Sequence, residues 1–242
     1  EIIGKPSIPR VDLRYKYLIS NVSFIDSERS QLYTDYIKAH WNEPMYVRAG
    51  GALKYVLSNL TPKIWEDELL VGSQSRYFLG TQVYPEYETW MLEGFKNIKR
   101  EEESYKEGTL QKREGERLGI YRIFPEDSKK ILDVATFWEG KDWRSQSEAY
   151  LKETMEDYEQ VEKMQQQLVF LRFMFDVPEG RVIVDYQKML DLGCNGLIKI
   201  AREQMKRIGN LQNKEDFDRY NFYKGTILAL EGLIAFANHY AD

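Results

Sequence analysis

The feature of this sequence that most constrains its fold is the spacing of its apolar residues, which recur every three or four positions between Pro and Gly breaks. Asp26 or Ser27 can cap a first helix, and Pro44 and Pro125 each suit the first turn of another. The apolar spacing predicts helices over 26–40, 44–60, 125–138, 142–175, 186–208 and 218–240. We therefore expect a mainly α protein.

Two short segments are predicted to be extended. They are "ELLVG" at 68–72 and "VIVD" at 182–185, and the second has too few residues to form a sheet without pairing to other chain. The sequence shows no internal repeat and no flexible linker. Residues 1–242 are therefore expected to form a single helical region with a few short extended segments.

The composition disfavours several classes of function. The net charge of −5 gives no support to a nucleic-acid partner. One cysteine and two histidines exclude an internal disulfide framework and make a structural zinc site unexpected. No apolar run reaches the roughly 18 residues that cross a bilayer, and no signal peptide opens the sequence. A cytoplasmic location is expected.

The sequence contains none of the common nucleotide-binding loops. "GGAL" at Gly50 lies within a helical pattern, which favours close helix packing over phosphate binding. Cys194 lies on the apolar side of a predicted helix, where a thiol more often packs as a small apolar group than reacts. The charge-dense run from Lys96 to Arg117, with "EEE" at Glu101, is more typical of solvated surface than of a metal site.

Five stretches, in order along the chain, resemble the N-terminal region of glycyl-radical enzymes of the pyruvate formate-lyase-like superfamily. They are "VRAGGALKYVLSNLTPKIWEDELLVGSQS" from Val47, "VYPEYETWM" from Val83, "FWEGK" from Phe137, "VPEGRVIVDYQKMLDLGCNGLIKIAREQMKRI" from Val177 and "RYNFYKGTILALEGLIAFANHYAD" from Arg219. The resemblance implies that the chain is the helical N-terminal region of a larger glycyl-radical α/β barrel enzyme.

The resemblance also implies radical chemistry outside this segment. In the family, a glycyl radical near the C-terminus takes hydrogen from a mid-chain cysteine, and the thiyl radical takes hydrogen from the substrate. Cys194 does not match that cysteine's motif, so the segment is expected to hold no catalytic residue and no cofactor and to be inactive alone. An S-adenosylmethionine iron–sulfur enzyme installs the radical, oxygen destroys it, and homodimers are common. An anaerobic cytoplasm is therefore implied.

Arg181, Asp185 and Tyr186 are the substrate-binding residues that the resemblance nominates. Arylacetate decarboxylases resemble this chain at "PEGRVIVDY", whereas dehydratases commonly have His where Arg181 stands. Arg181 could bind a substrate carboxylate or pair with a nearby acid such as Asp185, and Tyr186 could donate a hydrogen bond or pack. The resemblance further predicts that Gly193 and Gly196 let this helix lie against a barrel wall.

The preferred function is a carbon–carbon lyase acting on a small carboxylate-bearing substrate such as an arylacetate. A dehydratase of a diol or hydroxy acid and a fumarate-adding succinate synthase are alternatives within the superfamily. A stand-alone helical binding module is the alternative of another class.

Overall fold

The computed structural model describes residues 11–12, 15, 24–65, 68–87, 123–167 and 184–242, with the side chains of 165–167 excepted. Within these ranges the protein is mainly α-helical, as predicted. The strands are β1 (Phe24–Asp26) and β2 (Gly80–Gln82). The helices are α1 (Glu28–Ala39), α2 (Met45–Asn59), α3 (Pro125–Trp138), α4 (Trp143–Thr154), α5 (Tyr158–Gln167), α6 (Tyr186–Ile208) and α7 (Lys214–Ala241).

Proline and acidic caps set several helix starts. α2 begins directly after Pro44, and α3 begins with Pro125 as its first residue, because proline has no backbone N–H to leave unpaired there. α4 follows Asp142, whose side chain accepts the Ser145 N–H at 3.1 Å. At α1 the capping residue is Ser27, but its side chain makes no cap hydrogen bond, and Asp26 Oδ1 instead accepts the Glu28 N–H at 3.0 Å.

The core joins the strands to α1, α2, α3 and α7. Ile25, Val83 and Ile131 form one buried cluster between β1 and α3. A second cluster joins α1, α2 and α3, and within it the Trp138 Nε1–H donates to Thr34 Oγ1 at 2.9 Å. A third joins α2 to Phe236 of α7. Among the described helices, the most extensive contact is that between α2 and α7, which are far apart in sequence.

Glycine permits the close crossing of α2 and α7. A Cβ on Gly50 would lie 2.1 Å from the Gly225 carbonyl oxygen, and one on Gly232 would lie 2.6 Å from Lys54 Cα. These distances are far below van der Waals contact, so the helices can cross only where side chains are absent. The prediction that "GGAL" serves helix packing is confirmed.

Two predicted elements differ in the structure. Residues 68–72 form no strand; instead β1 pairs in parallel with β2, with Phe24 opposite Gly80 and Asp26 opposite Gln82. The predicted helix over 142–175 is interrupted at Met155, whose backbone is extended at φ −108° and ψ 118°, so that α4 and α5 are separate. The parts of that prediction beyond 167, and the predictions for 88–122 and 182–183, lie outside the described residues.

Gly193 interrupts α6 for a conformational reason. Its φ of 59° and ψ of 179° are not helical, and a Cβ there would meet no atom of the described residues within 4 Å. The three atoms nearest to a Cβ on Gly196 all belong to the Leu192 side chain of the same helix. Within the described residues, therefore, neither glycine approaches another backbone, and Gly193 is needed for its left-handed φ.

Candidate functional site

The sequence-predicted binding residues fall at the start of α6. Asp185 caps the helix, its Oδ1 accepting the Lys188 N–H at 3.1 Å. Tyr186 is the first helical residue, and it is 68% exposed, so the described residues do not pack around its ring. Arg181 lies outside the described residues. The two described positions are thus adjacent on one exposed helix end, with Asp185 already engaged in capping.

A buried ionic cluster that the sequence did not reveal lies between β1, the segment before β2, and α3. Asp26, at the end of β1, is 1% exposed and accepts hydrogen bonds from Ser75 Oγ at 2.9 Å and from the Arg76 N–H at 2.7 Å. The Arg76 side chain donates to it as well, from Nη2 at 2.6 Å and from Nε at 3.0 Å. Asp26 therefore fixes both the backbone and the guanidinium of Arg76.

Asp127, in the first turn of α3, is the second acid of this cluster and is fully buried. It accepts from Arg76 Nη2 at 2.8 Å, from the Tyr77 hydroxyl at 2.5 Å and from the Ser27 hydroxyl. We call Asp26, Arg76 and Asp127 the Asp–Arg–Asp cluster. It joins three segments that are far apart in sequence.

The contacts within the cluster favour the ionised forms of Asp127 and Arg76. Burial alone would raise the pKa of Asp127, but hydrogen bonds from Ser27, Tyr77 and Arg76, with the Arg76 charge, outweigh it and lower that pKa below its usual value. Burial likewise disfavours the Arg76 cation, yet its bonds to Asp26 and Asp127 raise its pKa. The pKa of the Tyr77 hydroxyl is raised by burial and by its bond to Asp127.

These directions indicate a structural role for the Asp–Arg–Asp cluster. A general acid or base works best with a pKa near the operating pH, and here the acid stays ionised and the tyrosine stays protonated. Arg76 is bonded to both carboxylates, so its charge is compensated within the protein. We conclude that the cluster fixes the segment leading into β2 against α1 and α3.

A second ion pair fixes the chain just after β2. Arg29 Nη2 donates to Glu86 Oε1 at 2.5 Å, and the guanidinium lies 3.9 Å from the centroid of the Tyr84 ring. The Glu86 carbonyl in turn accepts the Trp143 N–H of α4 at 2.9 Å. The "YPEY" turn at 84–87 is therefore tied to α1 on one side and α4 on the other.

The described part of the chain shows no cluster of metal-binding side chains. Across those ranges, no three His, Cys, Asp or Glu side chains come together in a way that could hold a metal ion. Cys194 is half-buried, next to the break at Gly193. Among the described helices, none is both long enough and apolar enough to span a membrane.

Comparison with known proteins places this architecture in a family. The family model described as pyruvate formate lyase-like matches residues 5–242. The chain belongs to the pyruvate formate lyase-like family. The matched range contains the residues that form the strands, the helices and the Asp–Arg–Asp cluster.

Individual members of the family are similar to this chain in sequence and in structure. The chain is 28% identical to indoleacetate decarboxylase of Tractidigestivibacter scatoligenes over 100% of its own length. It is 26% identical to the 4-hydroxyphenylacetate decarboxylase glycyl radical subunit of Clostridioides difficile over 86% of its length. It superposes on the glycerol-bound B12-independent glycerol dehydratase of Clostridium butyricum with a TM-score of 0.77, 26% identity and 100% coverage.

The chain spans only about a quarter to three tenths of each of these pyruvate formate lyase-like relatives. The shares are 29% of the indoleacetate decarboxylase, 25% of the hydroxyphenylacetate decarboxylase subunit and 28% of the glycerol dehydratase chain. Its relatives are glycyl-radical lyases, and the reactions for which they are named include decarboxylation and dehydration.

Proposed function

We propose that this chain is the N-terminal region of a glycyl-radical lyase that decarboxylates an arylacetate. The observation that carries the proposal is the 28% identity to indoleacetate decarboxylase, which extends over 100% of this chain. The net reaction is redox-neutral: the carboxyl group leaves as carbon dioxide, and a hydrogen atom takes its place on the methylene carbon. The segment contributes to the wall of the active site, and the radical residues lie elsewhere in the enzyme.

Arg181 is the residue that we propose for the substrate carboxylate. A guanidinium is permanently charged and offers two parallel N–H groups, which match the two oxygens of a carboxylate. It precedes Asp185 by four residues, and Asp185 and Tyr186 begin α6. Asp185 is engaged as the helix cap, whereas the exposed Tyr186 hydroxyl is available to a ligand.

The remaining features follow from glycyl-radical chemistry. Residues 1–242 form one helical region of a longer chain, which works as a homodimer in an anaerobic cytoplasm. A separate S-adenosylmethionine iron–sulfur enzyme generates the glycyl radical on that longer chain. The contact of α2 with α7 supports a single unit, because it joins helices that are far apart in the segment.

Dehydration of a diol is the second candidate. The chain is 26% identical both to the hydroxyphenylacetate decarboxylase subunit and to the glycerol dehydratase. Identity to these two relatives therefore does not separate the reactions. The basic residue at 181 favours the decarboxylase, since a neutral diol presents no negative charge for a guanidinium to bind.

The two candidate reactions are distinguished by the products that they form. The full-length enzyme is activated without oxygen and incubated with indoleacetate or 4-hydroxyphenylacetate, and in parallel with glycerol or propane-1,2-diol. We expect carbon dioxide and the corresponding methylarene from an arylacetate, detected by mass spectrometry. Aldehyde formation from a diol, with both arylacetates unchanged, would overturn the decarboxylase proposal.

A further inference from the structure

Asn195 and Gly196 form the only Asn-Gly pair in the sequence. In such a pair the backbone nitrogen of the glycine can attack the side-chain amide carbon of the asparagine, because glycine has no Cβ to obstruct the five-membered ring that closes. The Asn195 side chain is exposed within the part of the chain that the structure describes. Whether the pair reacts therefore depends on how firmly α6 holds the Gly196 N–H.

The break at Gly193 leaves the Gly196 N–H without its helical acceptor. A helical hydrogen bond from Gly196 would go to the Leu192 carbonyl, and it requires helical angles at the three residues between them. Gly193 is the first of those three, and its φ of 59° and ψ of 179° are not helical. The helical bond is therefore broken, and Gly196 belongs to the first turn of a helix that starts again at Cys194.

This new helix start is weakly held. Its cap position is occupied by Gly193, which has no side chain to accept the N–H groups of the first turn. The buried residues of this half of α6, Ile198 and Ala201, come later. Because a helix frays at its ends more readily than in its interior, rotation of Asn195 into the reactive conformation disrupts only this first turn.

We propose that Asn195 is a site of spontaneous deamidation. The Gly196 nitrogen bonds to Asn195 Cγ, its proton passes to the side-chain amide nitrogen, and the bond from Cγ to that nitrogen breaks. Ammonia leaves and a succinimide remains. Water, the only co-reactant, then opens the ring at either carbonyl and gives aspartate or isoaspartate at position 195. The proposal goes beyond the proposed function, and it holds whichever reaction the enzyme catalyses.

The two products differ in their effect on α6. Aspartate adds a negative charge in the first turn of the restarted helix, where the helix dipole favours it. Isoaspartate instead routes the main chain through the side-chain methylene group, so the backbone gains one carbon atom and the helical geometry is interrupted. Deamidation at Asn195 therefore gives one product that preserves α6 and one that damages it.

Ageing of the full-length, unactivated enzyme in neutral buffer tests the proposal. The tryptic peptide 189–199 contains Asn195, and mass spectrometry measures its conversion to aspartate and isoaspartate. The matched control is Asn210, which is exposed between α6 and α7 but precedes Leu211. We expect conversion at Asn195 to be at least tenfold faster than at Asn210. It should accelerate at mildly alkaline pH, because the attacking nitrogen must lose its proton.

A parallel sample in urea separates reaction of the folded chain from reaction after unfolding. We expect Asn195 in the folded enzyme to react within about tenfold of its rate in urea, since only one helical turn has to open. Conversion in urea without any in the folded enzyme over the same time would overturn the proposal. Equal conversion at Asn195 and Asn210 would overturn it too.

The role of the break is tested with Gly193→Ala, for which Gly209 at the end of the same helix provides the control. Both glycines have a positive φ. Alanine disfavours that φ, so Gly193→Ala should favour a continuous helix, restore the bond from Gly196 and slow conversion at Asn195 at least threefold. Gly209→Ala should leave the rate unchanged. Equal effects of the two substitutions would show that the break does not set the reactivity.

Discussion

Asp127 both stabilises the N-terminus of α3 and accepts the hydrogen bonds of a buried network. Its position in the first turn of α3 suits a carboxylate, because the helix dipole favours negative charge there, and that much follows from the sequence. Its three donors come from Ser27, Arg76 and Tyr77, which are between 50 and 100 residues away. The folded chain makes this residue the centre of a buried network, which no local pattern indicates.

The Asp127 carboxylate should be essential to stability. Asp127→Asn leaves Tyr77 without its charged acceptor and Arg76 with Asp26 as its remaining hydrogen-bonded carboxylate, and we expect a loss of about 3 kcal/mol in the free energy of unfolding. Urea unfolding at neutral pH measures the loss. Asp133→Asn, on an exposed position of the same helix, is the control and should change stability by less than about 0.5 kcal/mol.

The pH dependence of stability follows from the same group. The pKa of Asp127 is lower in the folded than in the unfolded protein, so its contribution is fully present above about pH 4, the unfolded value, and is lost as pH falls through the folded pKa. The wild-type protein should therefore lose stability below about pH 4 more steeply than Asp127→Asn. Parallel acid profiles would show that another carboxylate dominates.

The prediction for Arg181 concerns substrate binding rather than stability. If its guanidinium binds the substrate carboxylate, Arg181→Lys in the full-length enzyme keeps the charge but loses the bidentate geometry, and KM should rise about tenfold. Arg202→Lys is the control, because Arg202 is exposed and lies 3.6 Å from Glu231 at the surface. An unchanged KM in Arg181→Lys would assign Arg181 to a structural ion pair.

At the scale of elements, the crossing of α2 and α7 depends on missing side chains. In an ordinary helix Gly→Ala is stabilising by about 1 kcal/mol. At Gly225 the added Cβ would lie 2.1 Å from the Tyr46 carbonyl oxygen, so the helices would have to separate. Gly225→Ala should destabilise the protein by about 3 kcal/mol, reversing the usual sign.

Thermal or urea unfolding of Gly225→Ala tests this crossing. Asn195→Ala, at an exposed position inside α6, reports the ordinary gain in helix propensity and should be neutral or slightly stabilising. A stabilised Gly225→Ala variant would mean that α2 and α7 can move apart at little cost.

Helices were more predictable than strands because their signals are local. Pro44 and Pro125 mark helix starts within a residue or two of the observed ones. β1 and β2 have three residues each and owe their pairing to contacts around them, so neither carries a periodic pattern of its own. The sequence does not predict the break at Met155, because no Pro or Gly marks it. Asp157 directly precedes α5, and its carbonyl accepts the Val161 N–H at 3.2 Å.

The candidate site was only partly accessible from sequence. The resemblance nominated Arg181, Asp185 and Tyr186, and the structure adds that Asp185 is a helix cap and that Tyr186 is exposed. The Asp–Arg–Asp cluster was not anticipated, since its members come from three segments and match no motif. Nothing in "GSQSR" before β2 shows that Arg76 pairs with acids, so the need for Asp26 and Asp127 becomes apparent only in the folded chain.

At the scale of the whole molecule, the lengths of the relatives make a direct prediction. The segment accounts for 25–29% of the decarboxylases that it resembles. We therefore expect the coding sequence to continue for several hundred residues and to encode a mid-chain cysteine loop and a C-terminal glycine motif. Sequencing the gene tests this. A stop codon shortly after Asp242 would favour a stand-alone helical binding module.

The crossing of α2 and α7 also implies a delay during translation, because α7 is synthesised long after α2. Lys54 and Glu231, which bond across it at 2.8 Å, are 177 residues apart. At about 5–20 residues per second, a ribosome needs roughly 10–35 s to make the intervening chain. During that interval α2 leaves the exit tunnel without α7, which is one of the helices that cover it. Nascent chains should therefore recruit a holding chaperone to Val56 and Leu57 until α7 emerges.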